Sequence, residues 1–445
     1  MHYTYDLLVI GGGSGGLAAA KRAAQHGVRV AIVEQKHWGG TCVNRGCIPK
    51  KLMVYASDVA HQVKLARSYG WQIQAEFNWS DFVQARDREL ERLRQVHETS
   101  LSKAGVDRIQ GHACFVDAHT VQVEDQTIQA DKILIAVGGK PILPDIEGIE
   151  HTITSRDIFH LPRLPERLVI VGGGYIGVEF ASMMRGFGCE VAILNRESCI
   201  LPGFDGDLTQ TLRDALRQRG INSLCDTTAT AIQKGANGLE LTLSGEESGS
   251  LVADVVLCAV GRSPNLEGLR LEQAEVEFSQ KAIEVDDYYC TNQPNIYAIG
   301  DCSSRLPLTP VAIAEGHAVA DTLFGGQRRQ IEYDSIPSAV FARPEAAAVG
   351  MTESKAKEQF GDEQIICDRT EFRPLVYSLS ESPEMTMMKF VIHKKTDRVL
   401  GLHIVGEHAA EMIQGAALAM QNGMTKQAFS NLIGIHPTSA EELFS

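Results

Sequence analysis

Short runs rich in Val, Ile and Leu alternate along this chain with longer stretches in which apolar residues recur every three or four positions. The first pattern predicts buried strands and the second amphipathic helices, and their alternation is the signature of parallel sheets joined by crossover helices. One such unit reads as a strand over Tyr5–Ile10, a helix to about His26, and a strand over 28–33 that ends at Glu34. A second reads as a strand over 168–171, a helix to about Phe187, and a strand over Glu190–Leu194. The fold class expected is α/β.

In both units glycines in GxGxxG spacing stand between the strand and the helix: Gly11, Gly13 and Gly16, then Gly172, Gly174 and Gly177. In a chain with 41 glycines that spacing alone is a weak signal. Its place gives it meaning, because a tight turn there lets a diphosphate reach free N–H groups at the start of a helix. Glu34 lies 23 residues beyond Gly11, where a carboxylate can accept from both ribose hydroxyls, so the first unit reads as an adenosine site for FAD or NAD. The same count from Gly172 reaches Asn195, with Arg196 next. The carboxylate that selects an unphosphorylated ribose is missing, and a 2′-phosphate suits Arg196, so NADPH is expected. NADH stays open through Glu197, Pro202 and the fully glycine form of the motif at Gly177. Two dinucleotide sites in one chain imply electron transfer between two cofactors; one working site and one degenerate duplicate is the competing reading. The segment TNQPNIYAIGD, residues 291–301, sets Asp301 just after a short apolar strand, as a flavin's ribityl chain or diphosphate requires.

At 445 residues the chain is too long for one core, and about 150 residues per domain suggests roughly three. A formal net charge of -14 argues against a nucleic-acid surface. No stretch approaches the roughly 18 to 20 apolar residues of a membrane span, so a cytoplasmic protein is expected. Eight of the ten cysteines are scattered singly, at 114, 189, 199, 225, 258, 290, 302 and 367, and read as buried or inert thiols.

The remaining two, Cys42 and Cys47, form the one closely spaced pair, in GGTCVNRGCIPKK. In a regular α-helix an i,i+5 pair lies beyond the about 4.4 to 6.8 Å that a disulfide spans between Cα atoms, so the helix must be irregular, with Gly46 and Pro49 as the breaking residues. A strained disulfide is easily reduced, and Lys50 and Lys51 nearby would stabilise a thiolate. No second pair or His cluster has zinc-ligand spacing, and no metal is expected. Near the other end, HPTSAEE places His436 and Glu441 in one turn-like stretch. Either His436 is an ordinary surface residue, or Glu441 fixes its tautomer and raises its basicity for proton exchange with thiols.

Taken in order, GGTCVNRGCIPKK, GGGYIGVE, TNQPNIYAIGD and HPTSAEE resemble the pyridine nucleotide:disulfide oxidoreductases over essentially the whole chain. HPTSAEE, rather than a longer HAHP form, is similar to the glutathione reductase branch. The resemblance implies two Rossmann-like dinucleotide-binding domains and a C-terminal α+β dimerisation domain. Its boundaries would be an FAD domain over 1–140, an NAD(P) domain over 141–263, a central domain completing the FAD site over 264–334, and an interface domain over 335–445. It implies a homodimer in which His436 serves the other subunit. Cys47 matches the flavin-proximal, charge-transfer thiol and Cys42 the thiol that attacks substrate. Lys50 and Glu179 match an ion pair beside the flavin, Tyr175 a lid over the nicotinamide, and Ser14, Thr41, Asp301 and Thr309 flavin contacts. Gly261 and Arg262 match further cofactor-binding positions. Hydride from the nicotinamide would pass through FAD to the Cys42–Cys47 disulfide, and the dithiol would reduce glutathione disulfide with His436 as proton donor.

The substrate positions depart from the family pattern. Ser14 is joined by Lys21 and His317 where Arg is usual and by His97 where Tyr is usual. Lys21 keeps charge without the bidentate fork, and His317 is only partly cationic at neutral pH. Glu315 resembles relatives that take cationic or neutral substrates, whereas Ala18 and Lys21 lack the marks of trypanothione reductases. Glutathione disulfide with weakened or pH-sensitive binding is expected, with a modified glutathione disulfide as the alternative. Dihydrolipoamide dehydrogenase with NAD is the other enzymatic alternative. Mercuric and high-molecular-weight thioredoxin reductases use C-terminal cysteines, and none follows Cys367. A flavin-binding partner without turnover is opposed by the joint presence of Cys42, Cys47, His436, Glu441, Lys50 and Glu179.

Overall fold

The computed structural model describes residues 3–303 and 305–444, which divide into two compact units, each discontinuous in sequence. The first is drawn from Met1–Leu52, Ser80–Ile142 and Gly261–Ile331, and the second from Met53–Trp79, Leu143–Val260 and Glu332–Ser445. The helices that position the site residues are, in chain order, α1 (Ser14–Gln25), α2 (Gly40–Arg45), α3 (Cys47–Ala66), α4 (Trp79–Lys103), α5 (Tyr175–Gly186), α6 (Gly206–Gln218) and α7 (Thr309–Phe324).

In the first unit, Asp107–Gln110, Val30–Glu34, Tyr5–Ile10, Gln126–Ile135 and Ile296–Ala298 lie side by side as parallel strands. Both faces of this sheet are covered, which is why its strands read as unbroken apolar runs. Leu8 and Ile10 pack into one core with Phe115 and Ile133, while Leu7 and Val9 point the other way into a core with Leu17, Ala20 and Leu134. α1 lies against α7 at a distance only small residues allow. A Cβ on Gly15 would come within 2.9 Å of the Ala312 carbonyl oxygen, and one on Gly316 within 2.5 Å of that of Gly15.

The second unit repeats the design. Ile221–Leu224, Glu190–Leu194, Arg167–Val171, Val255–Cys258 and Ile153–Thr154 form a parallel sheet, joined by an antiparallel three-stranded sheet over 227–253. The same unit holds a five-stranded antiparallel sheet in the order Ser338–Val340, Glu345–Gly350, Arg398–Gly406, Thr386–His393, Ile365–Phe372. Helix Ala409–Gln421 covers one face of it through Ile413, Ala417 and Met420. The architecture is thus the α/β one the alternating pattern predicts, with a C-terminal α+β region. The expected strand over 28–33 runs instead over Val30–Glu34, and the two expected helix ends at His26 and Phe187 fall at Gln25 and Gly186.

Candidate active site

The cysteine pair straddles a break. α2 ends at Arg45 and α3 begins at Cys47, with Gly46 between them at φ -150° and ψ -117°. A Cβ on Gly46 would stand 2.9 Å from the Thr41 carbonyl oxygen, so the backbone can fold back there only through glycine. The buried Asn44 pins the loop. Its Nδ2 donates to the carbonyls of Trp38 (3.1 Å) and Gly40 (2.8 Å), and its Oδ1 accepts from Arg94 Nε of α4 at 2.6 Å. Neither Asn44 nor Arg94 stood out in the sequence, because the bond that joins them crosses 50 residues.

Cys42 is half-buried and Cys47 exposed, and both are free thiols. Cys47 Sγ lies 3.4 Å from Oγ1 of Thr309, the first residue of α7. The hydrogen bond from Cys42 pulls Cys47 down to about 6 against the opposing effect of burial, with help from the Thr309 hydroxyl and the Lys50 charge. The same bond and burial push Cys42 up, and hydrogen bonds from Thr309 and Ser14 only partly counter them. Of the two thiols, the surroundings therefore favour a thiolate on Cys47. Among the singly placed cysteines, Cys189 and Cys302 are buried and pushed up by that burial to about 11 and about 12. Cys367, expected to be buried or inert, is exposed, yet partial burial and Glu353 still raise it to about 11.

The two glycine turns are built alike. A Cβ on Gly11 would meet the Ala136 carbonyl oxygen at 2.4 Å and one on Gly16 the Gly11 carbonyl oxygen at 2.0 Å; for Gly172 and Gly177 the clashes are with Ala259 at 2.4 Å and Gly172 at 2.1 Å. Strand and helix packing account for those four. They do not account for Gly13 and Gly174: a Cβ on Gly13 meets nothing closer than Gly40 Cα at 3.9 Å, and one on Gly174 nothing within 4 Å. Bare backbone facing open space at the start of a helix is what a close-lying diphosphate needs.

Glu34 Oε2 accepts from the Gly12 N–H at 2.8 Å and Oε1 from the Lys36 N–H at 2.7 Å, which sets the carboxylate at the end of its strand. Arg262 follows Gly261, donates from Nη2 to the Gly139 carbonyl (2.8 Å) and pairs with Asp301 at 3.4 Å. In the same unit the buried Nε of Arg45 has no hydrogen-bond partner among the described residues. A carboxylate fixed at the end of its strand, two guanidinium groups and an open glycine turn fit an anionic dinucleotide such as FAD. In the second unit Asn195 takes the place of Glu34, its Oδ1 accepting from the Gly173 N–H at 3.3 Å while Nδ2 donates to the Glu197 and Cys199 carbonyls. Arg196 beside it is exposed and bonded to Glu197 at 3.1 Å, and Tyr175 opens α5 with its side chain exposed.

Lys21 of α1, His97 of α4 and His317 of α7 are half-buried and close enough to interact. His97 is lowered by burial and then by Lys21; His317 by burial, then Arg22, with Arg329 and Lys21 adding to this and Asp321 opposing it. Glu315 does not belong with them. It is buried, and its Oε2 accepts from the Gly300 N–H at 2.7 Å, so its charge is spent on the turn that carries Asp301 rather than on substrate choice. In the second unit the buried Glu179 accepts from the Phe341 N–H at 2.9 Å. There too, His436 Nδ1 meets both oxygens of Glu441 at 3.0 and 3.2 Å, and Glu441 is itself fixed by the Thr438 N–H at 3.1 Å in a capping box. A carboxylate only accepts, so Nδ1 carries the hydrogen and Nε2 is left free to take or give a proton.

Residues 5–316 match the family model described as pyridine nucleotide-disulphide oxidoreductase, and residues 336–444 match that family's dimerisation domain. The chain is 49% identical to the glutathione reductase of a Nostoc species over 99% of both chains. It is 44% identical to that of Burkholderia cepacia, over 99% of this chain and 98% of the other. With the chloroplastic/mitochondrial glutathione reductase of Pisum sativum it shares 41% identity over 99% of this chain and 82% of the other.

Proposed function

The chain belongs to the pyridine nucleotide-disulphide oxidoreductase family, and we infer that it is an FAD-dependent enzyme that spends NADPH to reduce glutathione disulfide to two glutathione thiols. The observation that carries this reading is the geometry of the cysteine pair: Cys42 and Cys47 face one another across the Gly46 break, with Cys47 Sγ 3.4 Å from Thr309 Oγ1 in surroundings that favour a thiolate on Cys47 over one on Cys42.

Gly11, Gly13, Gly16, Glu34, Thr41, Asp301 and Thr309 are the residues that would hold FAD, and Gly172, Gly174, Tyr175, Gly177 and Arg196 those that would hold NADPH. Together the two cofactors supply a pair of electrons to the Cys42–Cys47 disulfide. The protein's own groups then do the thiol chemistry. Cys42 is held protonated by its bond to Cys47, so it needs a base before it can attack, and His436 is that base through its free Nε2. The Cys42 thiolate bonds to one sulfur of the substrate, and the other sulfur leaves with the proton returned by His436. Cys47, already a thiolate, then attacks the Cys42 sulfur. The protein disulfide is restored and the second glutathione leaves as a thiolate that takes its proton from solvent, so two electrons and the one proton of Cys42 have moved from the pair to the substrate.

The protein is a homodimer in this reading, with His436 working on the cysteine pair of the other chain. Lys21, His97 and His317 would receive the substrate carboxylates. No helix among the described residues is long and apolar enough to cross a membrane. A cytoplasmic location suits thiol products, which persist in a reducing compartment.

The test is an anaerobic titration of the purified protein with NADPH, then glutathione disulfide, watching the visible spectrum. A flavin spectrum that gains a long-wavelength thiolate-to-flavin band with NADPH, and loses it on adding glutathione disulfide, is expected. Cys47→Ser should abolish the band, whereas Cys42→Ser should keep it and lose turnover. A colourless protein, or a band that glutathione disulfide leaves untouched, would sink the reading.

A further inference from the structure

Arg45 is a cation with an incomplete environment. It is the last residue of α2, one turn beyond Thr41 and on the same side of the helix. Its Nε is shielded from solvent and makes no hydrogen bond to any described residue. A buried guanidinium nitrogen without an acceptor is costly, and each such group in a native fold calls for a partner that the protein chain does not provide. Nor is Arg45 loosely placed, since its neighbour Asn44 is clamped by three hydrogen bonds to Trp38, Gly40 and Arg94. Its electrostatic neighbours are Glu34, which attracts it, and Arg262, which repels it, so the guanidinium belongs to the surroundings of the first glycine turn. Arg262 is paired with Asp301 at 3.4 Å and both oxygens of Glu34 accept backbone N–H groups, so neither carboxylate supplies the acceptor that Arg45 Nε lacks where the glycine turn exposes its backbone.

We propose that Arg45 anchors the FAD diphosphate, its buried Nε finding there the acceptor that the chain lacks. The redox loop then holds the cofactor directly, through a residue two positions from Cys47. The inference rests on FAD being the cofactor of the first unit.

The experiment compares wild-type holoenzyme with Arg45→Met and Arg45→Lys, following released FAD by its fluorescence as the enzyme is diluted at low and at high KCl. Wild type must first purify with FAD bound; a protein without flavin would overturn the reading of the site, separately from the role of Arg45. Given flavin, Arg45→Met should release it roughly ten- to a hundredfold faster at low salt, the loss of a charge-assisted hydrogen bond, with a flatter salt dependence. Arg45→Lys should fall between, since it keeps the charge and loses the fork. A release rate within about twofold of wild type for Arg45→Met would overturn the proposal.

The second readout guards against a variant that is merely misfolded. Stripping FAD from the holoenzymes and melting the apoproteins should show Arg45→Met at or above the wild-type midpoint, because the substitution removes a buried Nε that has no acceptor. A structural role without FAD predicts the reverse, a lower apoprotein midpoint, and that result would also overturn the proposal.

Discussion

His97 and His317 are the residues proposed to receive the substrate's carboxylates, and both imidazoles are held below their ordinary range, first by burial and then by the cations around them. Both are therefore held neutral at pH 7, and of the three residues Lys21 is the one with a fixed charge. An anionic substrate favours the protonated rings, so affinity should rise as pH falls below the ordinary imidazole value of about 6.5. Measured by calorimetry on a Cys42→Ser/Cys47→Ser double variant, glutathione disulfide should bind roughly fivefold more tightly for each ring that becomes charged, about 1 kcal/mol for a part-exposed pair. His317→Arg should bind more tightly at pH 7 and lose part of the pH dependence. A constant affinity from pH 5.5 to 8 would refute the assignment. The positions of these residues were legible in the sequence against the family pattern, but their charge state was not, because it depends on burial between α1, α4 and α7. Glu315 shows the same limit from the other side: its place in the helix suggested substrate choice, and only its bond to the Gly300 N–H reveals a different task.

At the scale of elements, the parallel strands and the helices that follow them were legible because burial on both faces leaves continuous apolar runs, as at Tyr5–Ile10 and Arg167–Val171. Strand Thr386–His393 was not, since a lysine interrupts its apolar run and nothing local explains it. Lys389 is 2% exposed, and its Nζ donates to Asp205 at 2.9 Å, Asp207 at 2.6 Å and Glu353 at 2.5 Å, tying the start of α6 to the antiparallel sheet of the same unit. Partners more than 180 residues away cannot be read from a pattern of neighbours. Replacing Lys389 with Met would leave the buried Asp205 uncompensated and should cost about 3–5 kcal/mol, seen as an earlier midpoint in denaturant unfolding. The pH dependence follows from the carboxylates. Lys357 and Lys389 hold Glu353 down at about 2, and Asp205 is also lowered, by the Glu353 N–H and Lys389 against its burial. A depressed carboxylate stabilises the fold above its unfolded value, and that contribution is lost as pH falls from about 4.5 toward 2. Lys389→Met should flatten this acid limb, and an unchanged limb would show that the cluster contributes nothing.

For the whole molecule, the surface that carries His436 is the one a single chain handles worst. Ile433 is 93% exposed and Ile435 78%, with Leu432 and Leu418 also exposed, and the His436 ring between this apolar stretch and Glu441 is 82% exposed. Contiguous apolar surface of this kind marks a contact with another chain, and the match to the dimerisation domain over 336–444 makes that chain a second copy. A base on a face that is buried on pairing is expected to work across the pair rather than within its own chain. Hybrid dimers put this to the test. Cys47→Ser and His436→Gln homodimers should each be inactive. A hybrid with one chain of each kind, isolated with two different affinity tags, joins an intact cysteine pair from one chain to an intact His436 from the other. It should recover about half of wild-type activity, one site of two. If each His436 served the cysteines of its own chain, both sites of the hybrid would be broken and the activity would stay at the level of the parents. The hybrid therefore separates the two arrangements without requiring that a monomer survive on its own, which the exposed isoleucines make a poor expectation.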